Sequence, residues 1–213
     1  MQKRRVGRPT DKEGIDKDKI LRIALQAFAE FGFDGVSVNT IAKRAGVHDS
    51  LLHYHFGSKL DIWQKSIMQV GRKYVESSDR TVKLFKGSDY ATLGKALIRH
   101  YVYFLAENIE FNQVLQHELT QTSERTEWVI DTCLIPFSER IDMFYKYYMD
   151  SEPAYKMSLA HSFSFTFGIA STFFNLQALF LKKHNINVFD EEQIETHVDL
   201  VTEILFATIF KKA

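Results

Sequence analysis

A chain of 213 residues, 45% hydrophobic and 25% charged, holds one large domain or two small ones, and at this size roughly 70% of the unfolded surface can be buried without staples. Ten Gly, three Pro and one Cys exclude collagen-like, linker-like and disulfide-framework chains, and the lone Cys133 cannot build a CxxC or Cys-rich zinc site and fits a reducing cytoplasm. Net charge is zero but unevenly spread: residues 1–60 carry eleven Lys/Arg against seven Asp/Glu, and the remainder sixteen against twenty. A basic head on an acidic body suits either an anionic polymer partner or an ordinary solvated tail.

The N-terminal MQKRRVGRPTDKEG has no apolar stretch behind its cations, so no secretory signal is expected. Asp16 then caps a first helix whose apolar stripe is Ile20, Ile23/Ala24, Ala27/Phe28 and Phe31, and Gly32 ends it. After Phe33-Asp34-Gly35, Ser37 starts a short helix that buries Val38, Ile41, Ala42 and Ala45. Gly46 breaks it, Val47 plugs the turn, and a second short helix runs from about Asp49 to His55. Ser58 with Asp61 forms a capping-box start for a long helix carrying Leu60, Trp63, Ile67, Val70 and Tyr74 to about Phe85. Further helices are expected at about 89–106, 109–120, 124–149, 154–182 and 191–211, with a kink or split at Pro136. The expectation is an all-α chain of about nine helices.

Two short helices separated by Gly46-Val47 have the layout of a helix-turn-helix, whose second helix can enter a major groove. The surrounding run quotes more than the layout: the GRPT arm, Phe28-Ala29-Glu30-Phe31-Gly32-Phe33, Ile41-Ala42-Lys43-Arg44-Ala45-Gly46-Val47, Leu52-His53-Tyr54-His55-Phe56 and Ser58-Lys59. Over about residues 15–65 this resembles the TetR family of transcriptional regulators. The resemblance implies a homodimeric DNA-binding protein whose C-terminal domain binds a small molecule that changes its grip on an operator. It divides the chain into a basic arm at 1–14, a DNA-binding unit at 15–60, and a ligand-binding and dimerisation domain at 61–213.

The candidates for the groove or its rim are Thr40, Ser50, Leu51 and Tyr54, with Leu51 suited to a thymine methyl, and Ser37 joins the DNA-binding set at the start of its helix. Lys43, Arg44, His53, Tyr54 and Lys59 are candidate phosphate contacts, and His48 and His55 complete the set. Lys3, Arg4, Arg5 and Arg8 suit the adjacent minor groove. Asp49 departs from the family pattern: it either favours the helix N-terminus through the dipole or accepts from a cytosine amino group. His48, His53 and His55 have no i,i+4 ligand spacing, so no metal and no cofactor is expected.

In the body, Phe104, Phe111, Trp128, Phe137, Phe144 and Phe167 are the candidate walls of an apolar effector cavity, although aromatics at helical spacing serve equally as plain core. Ala160, Ser164, Gly168 and Thr172 make a small-residue stripe, and Val198, Val201 and Leu205 a seam that either complements it in a dimer or is internal to the chain, as both helices then are. The uncharged run 157–181 is interrupted by too many Ser, Thr and Asn to read as a membrane span. An enzyme is the rival reading, but no Gly-rich phosphate loop, GxSxG or HExxH occurs; a helical interaction protein that does not bind DNA is the other rival, kept open by Asp49.

Overall fold

The computed structural model describes residues 16–149 and 158–209, apart from the side chains at 143, 144, 146–149, 208 and 209. Helices follow one another as α1 (Lys17–Phe31), α2 (Val38–Ala45), α3 (Asp49–Phe56), α4 (Lys59–Leu84), α5 (Tyr90–Glu107), α6 (Ile109–Leu119), α7 (Glu124–Val129), α8 (Ile135–Met149), α9 (Leu159–Asn175), α10 (Gln177–His184) and α11 (Glu191–Ile209). No strand occurs among the described residues.

The helix starts follow from their caps. Asp16 accepts from the Lys19 amide at 2.9 Å, and Ser37 from the Thr40 amide at 3.0 Å. Ser58 and Asp61 close a full capping box, in which Asp61 Oδ2 accepts from the Ser58 amide at 2.7 Å. Those bonds from Ser58 hold the Asp61 carboxyl below its ordinary range. Gly46 ends α2 in the left-handed region at φ 69°, where an L side chain would be strained.

Eleven helices among the described residues replace the expected nine, for two reasons. The segment expected at 124–149 opens into a wider π-helical turn at Ile130–Leu134, just before Pro136. Proline has no N–H to give and its ring presses on the carbonyl four residues back, so the turn widens to make room. The segment expected to end at 182 breaks at Leu176, and α9 and α10 meet at 52°. Leu60, expected on the buried stripe of α4, is 41% exposed, and Ile62 takes the inward position.

One apolar cluster joins α1, α2 and α3 to the first half of α4 and continues into Phe104 of α5, Phe111, Val114 and Leu115 of α6 and Val129 of α7. A second gathers Tyr101, Val102 and Leu105 of α5 with Ala170 and Phe174 of α9 and Ile194, Val198, Val201 and Leu205 of α11. At about 1.5 Å per residue, the 26 residues of α4 span about 39 Å, long enough to take part in both the head and the body.

Candidate nucleic-acid interface and apolar cavity

Helix α3 is set by what it buries. Leu52 and Phe56, one turn apart, point into the head core beside Ile41 and Ala42. The opposite face carries Asp49, Ser50, His53 and Tyr54, all exposed, with Leu51 and His55 half-buried. Tyr54 is 82% exposed, and its ring meets His55 edge-on at 4.8 Å. This open aromatic sits on a helix whose other face is locked into the core. The C-terminus of α3 is tied down by Lys65, whose ammonium donates to the Phe56 carbonyl at 2.7 Å, and by the His53 ring, whose Nδ1 lies 3.0 Å from the Gly57 carbonyl.

The remaining head candidates divide by how free they are. His48 is exposed and supplies no side-chain cap to α3. Asp49 turns back on its own helix, its Oδ1 accepting from the Ser50 amide at 2.7 Å. Ser37 and Thr40 are joined at 2.8 Å through their hydroxyls at the start of α2. Lys43 is exposed and forms no ion pair among the described residues. Arg44 is tied to α1, 2.8 Å from Glu30 and with its guanidinium 5.0 Å from the Phe31 ring centre. Lys3, Arg4, Arg5 and Arg8 lie outside the described residues.

Lys59 is half-buried, and its ammonium donates to the Phe33 carbonyl at 3.1 Å and sits 4.2 Å from the Phe33 ring centre. The same ring meets Arg125 of α7 at 4.3 Å and Trp63 edge-on at 5.9 Å. Arg125 also pairs with Glu118, whose side chain is 1% exposed, at 3.2 Å, and reaches Asp34 at 3.5 Å. A Cβ built at Gly32 would meet the His117 ring at 3.3 Å, which shows how closely the end of α1 approaches α6. No sequence signal announces this junction, because its partners are distant along the chain and carry no motif.

In the body, α4, α5, α6, the π-helical turn, α8 and α9 enclose a cavity of about 350 Å³, a size that suits a small ligand. Phe104, Phe111, Phe137 and Phe167 line it, as does Cys133, whose thiol is pushed up to about 11 by burial and so stays protonated. Two expectations do not place there. Trp128 packs on Trp63 at 5.3 Å as plain core, and the Phe144 side chain lies outside the described residues. Sequence reasoning missed the α4 wall, made of Met68, Gly71, Arg72, Tyr74 and Val75. Burial raises the Tyr74 phenol well above its ordinary value, partly offset by the Arg140 charge, so it remains a neutral hydroxyl. Phe104, Phe111 and Leu115 belong at once to the cavity wall and to the apolar cluster of the head.

The dimer candidates also separate. Ala160, Ser164 and Thr172 are exposed, and a Cβ at Gly168 would meet nothing within 4 Å, so this stripe of α9 is open. Val198, Val201 and Leu205 are buried in the chain's own core, at 4%, 1% and 2% exposure, and cannot form a seam with a second copy. The large apolar residues that α9, α10 and α11 and the bend at Leu176 leave exposed are Phe165, Leu176, Leu179, Leu181, Leu200 and Ile204. No group of three or more metal-ligating side chains occurs among the described residues. Among those residues no single helix is long and apolar enough to cross a membrane, although α9 and α10 meet the length and composition test as a bent pair.

The fold and this surface define a class: a helix-turn-helix unit carried on an all-helical body with an internal apolar cavity. Residues 20–64 match the family profile described as "Bacterial regulatory proteins, tetR family". The "Biofilm operon icaADBC HTH-type negative transcriptional regulator IcaR" of Staphylococcus aureus is 41% identical over 51 residues, which is 24% of this chain and 27% of IcaR. The match thus spans about a quarter of the length of that curated relative. Among solved structures, a candidate fatty acid metabolism regulator of Clostridium perfringens overlays with a TM-score of 0.73 at 20% identity, covering 91% of this chain and 99% of the other. The regulator FadR of Bacillus subtilis, solved in complex with stearoyl-CoA, overlays at 0.65 with 21% identity, covering 90% and 98%. At such identities the likeness establishes a shared fold.

Proposed function

We propose that the protein is a sequence-specific DNA-binding transcriptional regulator, in the cytoplasm, whose operator affinity is set by a small apolar or amphipathic effector. The observation that carries the reading is the exposed face of α3, with Tyr54 at its centre, on a head whose core is continuous with the walls of an apolar cavity. In this reading Ser50, Leu51 and Tyr54 meet base edges or the groove rim, and Lys43, His48, His53 and His55 meet the backbone. Asp49 either sets the start of α3 or accepts from a cytosine. The arm residues Lys3, Arg4, Arg5 and Arg8 follow the minor groove. Residues 1–14 are the arm, 15–60 the reading unit and 61–213 the sensing and pairing part; no catalytic role is assigned.

A homodimer through α9, α10 and α11 fits the apolar residues left on those helices, with the Ala160, Ser164, Gly168 and Thr172 stripe allowing close approach. The two α3 helices of such a dimer must sit about 34–36 Å apart, or one helical turn more, to meet successive major grooves. An effector between Phe104, Phe111, Phe137 and Phe167 presses on residues that also support α1, and the middle of α4 moves with it. The names of the structural neighbours, fatty acid regulators among them, support an acyl-type ligand class. Selection of genomic fragments by the purified full chain, followed by titration of a selected duplex at several salt concentrations, tests the reading. A specific complex whose affinity falls linearly in log–log with salt is expected, and equal affinity for all fragments contradicts it.

A further inference from the structure

The cavity wall holds one polar group with an unmet demand. Asn112 of α6 is 1% exposed, lines the cavity, and gives its amide nitrogen to Asn175 Oδ1 at 3.0 Å. Its own Oδ1 is buried and has no hydrogen-bond partner among the described residues. A buried amide oxygen left unpaired is costly, and native structures rarely keep one without a use. Most of the wall is apolar, Phe104, Leu105, Phe111, Leu115 and Phe167 among it. The charged wall residues are elsewhere. Arg72 and Glu76 are exposed on α4, and Arg140 is engaged with Ser78 at 2.9 Å and Asp79 at 3.0 Å. Asn112 is thus buried in the wall, while the exposed α4 residues mark the open side of the cavity.

We propose that this site takes an amphiphile bearing a hydroxyl group on its otherwise apolar body, and that Asn112 holds that hydroxyl. The inference rests on the reading of the cavity as an effector site and names the ligand class within it. A carboxylate does not fit beside Asn112, because two acceptors would face each other across a dry wall. A plain hydrocarbon leaves the amide oxygen as orphaned as it is in the empty protein. A hydroxyl donates to Oδ1, and it would equally accept from the amide nitrogen were the Asn112–Asn175 pair rotated. Sites that hydrogen-bond a buried hydroxyl discriminate strongly against the analogue that lacks it, since removing the hydroxyl strands the protein's own polar atom. An anionic end on the same molecule would stay at the mouth beside Arg72.

The test uses the full chain and isothermal titration calorimetry, with hexadecanoic acid and the positional series of its monohydroxy derivatives as probes. At least one isomer is expected to bind about 10- to 100-fold more tightly than the parent acid. Asn112→Leu is expected to remove at least tenfold of that preference. If every isomer binds the wild-type protein no better than the parent, or if folded Asn112→Leu keeps the preference, the proposal is overturned. The wild-type ranking decides the matter even if the variant fails to fold. Parent acid that binds and shifts operator affinity, with no isomer preferred, sinks the hydroxyl proposal alone. Absence of binding by parent and isomers together sinks it along with the cavity as an acyl-effector site.

Discussion

Between residues 16 and 57, Asp16 and Ser37 cap their helices, Lys65 reaches back to close α3, and no buried side-chain polar atom is left without a partner. From α4 onward the pattern changes. Trp63 Nε1, both polar atoms of Gln69, His100 Nδ1 and Asn112 Oδ1 are buried and unpartnered, and a cavity of about 350 Å³ lies among the same helices. A reading surface works best on a platform with one conformation, whereas a sensing site needs room and unspent hydrogen bonds that a ligand can use. The two regions meet through Phe33, Trp63, Trp128 and the Arg125–Glu118 pair.

The junction is where the comparison breaks most easily. Arg125→Ala strands the Glu118 carboxylate, and removal of one partner from a buried pair costs about 3 kcal/mol or more. Urea unfolding of the full chain should show a loss of that size; a loss below about 1 kcal/mol would mean that water reaches Glu118 and that the junction is not the tight contact described. Next in size is Tyr54→Ala. With 82% of the residue exposed, its loss should leave stability nearly unchanged yet weaken binding to a selected duplex by about 1–3 kcal/mol. Fluorescence anisotropy measures the second quantity and thermal unfolding the first. Equal losses in both would place Tyr54 in the fold rather than in the interface.

Two smaller effects concern the region from α4 onward. Gln69→Met replaces a buried, unpartnered amide by a flexible apolar chain of similar volume and should stabilise the protein by about 1 kcal/mol, read as a higher urea midpoint at unchanged slope. The smallest effect is on pH. Burial lowers the pKa of His197, whose Nε2 lies 3.2 Å from the Ala170 carbonyl, and lowers that of His100, where the Arg80 charge adds to the effect. A folded-state pKa below the unfolded value gives stability that is present above the unfolded pKa of about 6.5 and is lost as pH falls through the folded one. Stability should therefore decline from pH 7 toward pH 5, and His197→Phe should flatten part of that decline. An unchanged slope in the variant would remove His197 as a cause.

Much of the head was legible because its determinants are local. Asp16, Ser37 and Ser58 each cap a helix within three residues, and Gly46 forces a turn by its own backbone. The α3 surface follows from the same logic, since burial of Leu52 and Phe56 dictates which residues stay outside. The second partner of Lys59 was not legible, because the Phe33 carbonyl to which it donates is 26 residues away. In the body, Val198, Val201 and Leu205 were assigned to the wrong surface. An apolar stripe tells that a face is covered but not by which chain, and α5 and α9 of the same chain cover this one. The bend at Leu176 has no Gly or Pro to mark it, whereas the π-helical turn was foreshadowed by Pro136. The Asn112–Asn175 contact spans 63 residues and has no sequence signature.

The coupling between cavity and reading surface is tested most directly by one titration: a selected operator duplex against the full chain at rising concentrations of stearoyl-CoA or hexadecanoic acid, with ligand binding followed independently by calorimetry. A cavity wall shared with the head core should make the two ligands influence each other by about 1–3 kcal/mol, a 5- to 150-fold change in operator affinity that saturates with the ligand isotherm. A ligand that saturates the cavity while operator affinity stays constant would contradict the coupling, and the shared aromatic wall would then be packing alone.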